Sequence, residues 1–248
     1  MFSEIRQTYR DSMKPSDSLF NLYLARPLAA PLVVLFARTP ITPNQVTLLS
    51  LLPMVAGLAA WLTLPGTLGL WLGVIGVELA YILDCVDGQL ARVTGRSSII
   101  GGELDFLMDE LKAVLLIGAL TIRWSLLDGG GDQAFVVGIS TLAILAVALS
   151  LTRFVRTDLY AEATGTVKQN HGESAGAARE RKSPLWPVEM VARLVSQYPV
   201  TLPLFAAFGR MDLFVWAYGV VHVLYAGRTF LSIMLRLGRF GKDDGSPS

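Results

Sequence analysis

Apolar runs recur along the chain at lengths close to the roughly 20 residues that a membrane helix needs. They fall at about 45–64, 68–92, 99–124, 134–156, 186–208 and 212–236, and predict six membrane helices. The fifth run is interrupted by Glu189, Arg193 and Gln197. The third is unusual, because Glu103, Asp105, Asp109, Glu110 and Lys112 crowd its first half. An ion at membrane depth costs at least about 2.5–3.5 kcal/mol, so these groups are expected to face a wet, protein-lined cavity rather than lipid. Ahead of the first run, residues 17–38 form an apolar-rich stretch. Its continuous part, Leu28 to Ala37, is too short to cross a bilayer. Pro27 and Pro31 are expected to kink any helix there. The stretch reads equally well as an interfacial helix on the cytoplasmic leaflet or as a segment packed under the bundle. The expected fold is thus an all-α membrane protein of six transmembrane helices with an amino-terminal interfacial helix. Its parts are an arm at 1–40, a six-helix unit at 41–240 and a disordered polar tail at 241–248. Asp128 to Asp132, rich in glycine, reads as a flexible outer loop.

Composition agrees with a membrane protein. Only 17% of the 248 residues are charged, against about 25% in soluble domains. The net charge of +1 gives no argument for nucleic acid as a partner. One cysteine, Cys85, excludes an intrachain disulfide and a cysteine-based metal site. Two histidines far apart, His171 and His222, argue against a histidine-rich zinc site. The polar first 16 residues do not read as a secretory signal.

Lysine and arginine set the expected orientation. They concentrate in the amino-terminal arm, in the segment near 93–98, in the 157–185 loop with its entry, and near the tail. The opposite side keeps little more than Arg123 and Arg210. Both termini are therefore expected in the cytoplasm of a cell-membrane protein, with an even number of spans.

The chemistry lies in Asp84-Cys85-Val86-Asp87-Gly88-Gln89-Leu90-Ala91-Arg92, then eight residues, then Gly101 through Asp109. Asp84 and Asp87, three apart, share one helix face, and Asp105 and Asp109, four apart, share another. The break between the helices falls near Val93 to Ser98. From Asp87 to the break is roughly 9 Å of helix, and from the break to Asp105 roughly 10 Å, so a hairpin brings both pairs to one depth. Four converging carboxylates need a cation or protonation. Oxygen-only ligands favour Mg²⁺ or Mn²⁺, also Ca²⁺, over zinc. Two pairs suit two ions and phosphoryl transfer. Gly88, Gly101 and Gly102 leave room for a diphosphate. Arg92, one turn beyond Gly88, can present its guanidinium fork to phosphate. Two bland readings compete. Buried ion pairs would need more bases than Arg92 and Lys112, and an ion pathway would need polar groups across the whole bilayer rather than at one face.

These residues carry a resemblance. The pattern D-x-x-D-G-x-x-A-R, eight residues, G-x-x-x-D-x-x-x-D is similar to the signature of the CDP-alcohol phosphotransferases, and all eight fixed positions match: Asp84, Asp87, Gly88, Ala91, Arg92, Gly101, Asp105 and Asp109. At about 6% usage per residue type, a chance match at one start point is of order 10⁻¹⁰. Ile41 to Thr47 resembles the family's entry to its first helix. The resemblance implies six membrane helices with the signature on the second and third, and commonly a homodimer. It implies Asp84, Asp87, Asp105 and Asp109 as ligands for two Mg²⁺ or Mn²⁺ ions, and Asp109 also as general base. Gly88, Ala91 and Arg92 would hold the CDP part, with Asn44, Thr47 and Ser98 helping to bind cytidine. Thr42, Pro43 and Asn44 read equally as a plain helix cap.

The implied reaction is attack of an acceptor hydroxyl on the phosphorus next to the donor alcohol, with loss of CMP. A lipid donor, CDP-diacylglycerol, is favoured because the site would lie at the cytoplasmic leaflet. A soluble CDP-inositol-type donor yielding a di-inositol-phosphate product is the alternative, since residues 14–47 loosely resemble the membrane portion of archaeal di-inositol-phosphate synthases. A membrane ion transporter is the competing class. For the acceptor, Lys112, Arg153, Arg156 and Arg228 are candidates to hold a small phosphorylated polyol such as glycerol phosphate or inositol phosphate. Positive-inside anchoring explains the arginines as well. Relatives that use inositol phosphates often have a basic residue directly after the last aspartate, where this chain has Glu110.

Overall fold

The computed structural model describes residues 2–12, 20–165, 195 and 197–240. Residues 186–194 and 196 of the fifth apolar run, the loop beyond Gly165, His171 and the 241–248 tail lie outside the described residues. Among those described, every regular element is helical.

The chain opens with α1 (Phe2–Asp11), then a π-helical turn (Asn21–Ala25) that runs directly into α2 (Arg26–Ala37). Neither proline ends the helix. Helix α2 continues through Pro31, and Pro27 sits in its first turn. The wide turn explains this: Arg26 N–H bonds back to the Asn21 carbonyl, five residues earlier. That register loosens the backbone where the Pro27 ring would otherwise meet the carbonyl four residues back.

Next come α3 (Pro43–Leu49) and α4 (Leu51–Thr63). Thr42 caps α3 in a reciprocal capping box with Gln45. The expected first span is one run broken only at Ser50, where the ring of Pro53 meets the carbonyl of Leu49. The long helices α5 (Gly66–Val93), α6 (Ile99–Leu126) and α7 (Gly131–Val155) follow, then the short α8 (Asp158–Thr164). The described carboxy-terminal part adds α9 (Tyr198–Ala207) and α10 (Met211–Phe240).

Among the described residues, four segments are long and apolar enough to cross a membrane: Pro43–Thr63, Gly66–Val93, Gly131–Val155 and Met211–Leu237. Helix α6 has the length, at 28 residues, but its first half carries the acids. Of the fifth expected span, α9 supplies ten described residues.

Helices α4 and α5 pack backbone to backbone. A Cβ on Gly57 would lie 2.8 Å from the Gly73 carbonyl, and one on Gly76 would lie 2.5 Å from the Gly57 Cα. Small residues allow this close approach, which is how apolar helices associate without a hydrophobic driving force between them. Trp61 closes the same seam, its indole N–H donating to the Leu70 carbonyl at 2.9 Å. Nearby Arg123, only 2% exposed, donates to the carbonyls of Trp61, Leu64 and Gly66 and to Asp128. It satisfies the unpaired carbonyls that end α4.

The described part of the expected 17–38 stretch, residues 20–38, is packed against the bundle along one face. Ala29 and Val33 of α2 share a buried cluster with Val46, Val86 and Leu90. Its other face leaves Tyr23, Leu24, Leu28 and Leu35 exposed. The contacts that hold helix α1 to this base include a surface ion pair and a buried hydrogen bond. Glu4 and Arg38 pair at 2.6 Å on the surface, and the guanidinium holds the Glu4 carboxyl below its usual pKa. Such exposed pairs contribute little. The buried hydrogen bond from Ser12 to Gln89 of α5 is the stronger tether.

Candidate active site

The α5–α6 hairpin turns at Thr94–Ser98, and Ser98 caps α6 by accepting from the Gly101 N–H at 3.0 Å. This tight turn sets the two helices at a common depth. One carboxylate oxygen from each of Asp84, Asp105 and Asp109 then falls within 4.8 Å of the others. Asp87 is beside them, 5% exposed, with the Thr47 hydroxyl against its carboxylate. One Asp87 oxygen, Oδ2, is buried with no protein partner. Asp109, by contrast, is open to the surroundings. The buried orphan oxygen and the all-oxygen donor set fit a hard divalent cation.

Around this cluster lie the other predicted residues. Gly88 lies under the Arg92 guanidinium: a Cβ there would be 3.4 Å from Arg92 Nη1. Ala91 is half-buried on the same helix. Asn44, in the first turn of α3, meets the first turn of α6. A Cβ on Gly101 would lie 3.0 Å from both Asn44 Oδ1 and Ser98 Oγ. Asn44 and Ser98 thus flank Gly101, Thr47 lies against Asp87, and Arg92 lies over Gly88.

The four basic candidates for the acceptor are placed differently from one another. Lys112 is fully buried and its ammonium pairs with Asp84. It does not face an open pocket, because i+3 from Asp109 turns it onto the acidic face of α6. Arg153 bonds Glu110 Oε2 at 2.7 Å, and Glu110 Oε1 is buried without a partner. Arg156 stacks over the Phe106 ring, 4.1 Å from its centroid. Arg228 is exposed on α10.

Five contacts have no signature in the sequence. Ser12, fully buried, donates its hydroxyl to Gln89 Oε1 at 2.9 Å. Its carbonyl accepts from Arg92 Nε at 3.0 Å and from Arg26 Nη1. The Tyr81 hydroxyl donates to Asn21 Oδ1, and the Tyr81 ring meets Tyr198 edge-on at 6.2 Å. The arm and α9 thereby wall the hairpin on two sides.

Comparison with known proteins gives a consistent picture. A family model described as CDP-alcohol phosphatidyltransferase matches residues 40–221. An archaetidylinositol phosphate synthase of Aeropyrum pernix is 38% identical over 105 residues, 42% of this chain and 51% of that protein. A phosphatidylinositol phosphate synthase of Corynebacterium glutamicum is 29% identical over 130 residues, 52% of this chain and 57% of that protein. A bifunctional IPC transferase and DIPP synthase of Rubrobacter xylanophilus is 38% identical over 115 residues, 46% of this chain and 24% of that protein. The chain spans about half the length of the first two of these relatives. The crystal structure of Mycobacterium tuberculosis phosphatidylinositol phosphate synthase with CDP-DAG bound superposes with a TM-score of 0.52 at 22% identity, covering 88% of this chain and 98% of that one. That likeness is one of fold.

Proposed function

Because the chain belongs to the CDP-alcohol phosphatidyltransferase family, we propose that it is an integral membrane enzyme that transfers a phosphatidyl group from CDP-diacylglycerol to the hydroxyl of an inositol phosphate, releasing CMP. The observation that carries this reading is the convergence of Asp84, Asp105 and Asp109 within 4.8 Å, next to Asp87. The acceptor class is taken from the relatives named phosphatidylinositol phosphate synthase and archaetidylinositol phosphate synthase. CDP-diacylglycerol is supported by the exposed apolar face of α2, where acyl chains can lie beside the hairpin. The catalytic unit is taken as 41–240, working as a homodimer with its site and both termini on the cytoplasmic side.

Asp84, Asp87, Asp105 and Asp109 would hold Mg²⁺ or Mn²⁺, two ions at full occupancy. When bound, the metal supplies charge stabilisation at the diphosphate oxygens. Arg92 and the bare backbone at Gly88 hold the diphosphate. Asn44, Thr47 and Ser98 orient the cytidine. Asp109, the accessible carboxylate, takes the proton of the acceptor hydroxyl as it attacks the phosphorus bonded to the diacylglycerol oxygen. The bond to the CMP phosphate oxygen breaks, and CMP leaves with the electron pair. Arg153, Arg156 and Arg228 are the candidates for the acceptor's own phosphate.

The likeness to a bifunctional IPC transferase and DIPP synthase favours a second reading, a soluble CDP-inositol-type donor. One assay separates them. Purified protein in lipid nanodiscs is given CDP-diacylglycerol or CDP-inositol, with inositol phosphate, glycerol phosphate, inositol or serine, and products are weighed by mass spectrometry. The expected result is CMP plus phosphatidylinositol phosphate, dependent on Mg²⁺ or Mn²⁺. Metal flux across liposomes without CMP release would replace the enzyme reading with a transporter.

A further inference from the structure

We propose that Lys112 is a resident counter-cation of the carboxylate cluster: it neutralises part of the cluster's charge without metal and, by holding one Asp84 oxygen, competes with the metal for that carboxylate. This rests on the reading in which the aspartates bind a divalent ion.

Three observations carry it. Lys112 has no exposed side-chain surface, yet its Nζ contacts Asp84 Oδ1 across the α5–α6 seam. Asp109 and Asp87 are also near enough to act on its charge. Of the other bases near the hairpin, Arg92 Nε donates to the Ser12 carbonyl and Arg153 to Glu110. A buried ammonium is costly unless paired, and a buried carboxylate cluster is costly unless neutralised, so each offsets the other. Helix geometry makes the placement specific. Lys112 follows Asp109 by three residues and so shares its face, while its long stem reaches the neighbouring helix.

The consequence is a competition. A fixed positive charge several ångströms from a divalent ion opposes its binding, even at an effective dielectric of about 20. Lys112 is therefore a positioning residue that stabilises the metal-free fold and weakens metal affinity, which keeps the site from being locked by its cation.

The test uses the full chain in detergent micelles, with no substrate present. Free Mn²⁺ is followed by electron paramagnetic resonance, and thermal unfolding is measured in EDTA and in saturating Mn²⁺. Lys112→Met should bind Mn²⁺ on the order of tenfold more tightly. It should melt lower than wild type in EDTA and recover most of that loss in Mn²⁺. Lys112→Arg should stay near wild type in both. Unchanged or weaker Mn²⁺ affinity, with an equal loss of melting temperature in EDTA and Mn²⁺, would overturn the proposal and leave an ordinary structural ion pair. Should Lys112→Met not fold, the double variant Asp84→Asn/Lys112→Met decides. Recovery of a folded protein supports the charge-balance role, and failure to recover counts against it. Absence of Mn²⁺ binding by the wild type would instead sink the metal-dependent reading on which this rests.

Discussion

Arg92 and Ser12 lie 80 positions apart in the chain, yet Arg92 Nε donates to the Ser12 carbonyl at 3.0 Å. The motif arginine is thus fixed by the end of the amino-terminal helix. The same Ser12 donates its hydroxyl to Gln89, three residues earlier on α5. The arm is coupled to the donor-binding face through one buried residue.

Ser12→Ala removes the hydroxyl and leaves Gln89 Oε1 without that donor. Gln89 Nε2 is already buried and unpaired. Losing a buried hydrogen bond costs about 1 kcal/mol or more. If half or more of that is felt at Arg92, the donor KM rises about two- to fivefold while kcat stays near wild type. Steady-state kinetics with varied CDP-diacylglycerol check this, and an unchanged KM with a lower melting temperature would confine Ser12 to stability.

Asp109→Asn and Asp87→Asn should fail differently. Asp109 is accessible and Asp87 is 5% exposed with an orphan oxygen. Removing the base leaves three of the four carboxylates at the donor site, so Asp109→Asn should lose about 10²–10⁴-fold in kcat and largely retain CDP-diacylglycerol binding. Asp87→Asn turns a buried ligand into a neutral amide and should lose donor affinity together with metal. Calorimetric titration of the donor in Mg²⁺ distinguishes the two. Full turnover in Asp109→Asn contradicts its role as base, and full turnover in Asp87→Asn contradicts its role as ligand.

Much of this arrangement was legible in spacing alone. Asp84, Asp87, Asp105 and Asp109 at i, i+3 and i, i+4 on either side of a short break define a hairpin that can bring them together. The bounds of α5, α6 and α7 follow from apolar runs ended by glycine and serine. What escaped was long-range or a matter of depth. No local pattern links Ser12 to Arg92 or marks the π-helical turn ahead of Pro27. For Lys112 the sequence gives the helix face but not the depth. The exposed Asp109 and the buried Lys112 share a face of α6 one turn apart, so the contrast between them is one of position along the helix.

Gly101→Ala should impair donor binding with little effect on folding. The new Cβ would lie 3.0 Å from Asn44 Oδ1 and from Ser98 Oγ. Both neighbours must give by a few tenths of an ångström, and Ser98 can turn its hydroxyl only by giving up the α6 cap. Loss of a cap costs about 1 kcal/mol. A several-fold rise in donor KM is expected, with cytidine-free phosphate analogues binding as before. Equal weakening of both would show that the glycine serves the diphosphate and not the base.

The acceptor arginines are best tested as a pair with the acid that occupies one of them. Arg153 is 57% exposed on its side chain and bonds Glu110 Oε2 at 2.7 Å. An exposed ion pair is worth at most about 1 kcal/mol. A phosphorylated acceptor offering two oxygens to the same guanidinium forms charge-assisted bonds of about 1.5–3 kcal/mol each, so it should displace Glu110. Glu110 then acts as a competitor whose removal helps. Glu110→Gln should lower the acceptor KM by up to about fivefold, the equivalent of the pair it breaks. Arg153→Ala should raise that KM by about tenfold or more and leave donor binding unchanged. The contrast is the informative part, because an arginine that merely anchors the end of α7 at the membrane surface would weaken stability in both variants and move the acceptor KM in neither. Kinetics with inositol phosphate and with unphosphorylated inositol sharpen it further: only the phosphorylated acceptor should respond to Arg153, and a response shared by both would move the arginine's role from the phosphate to the ring.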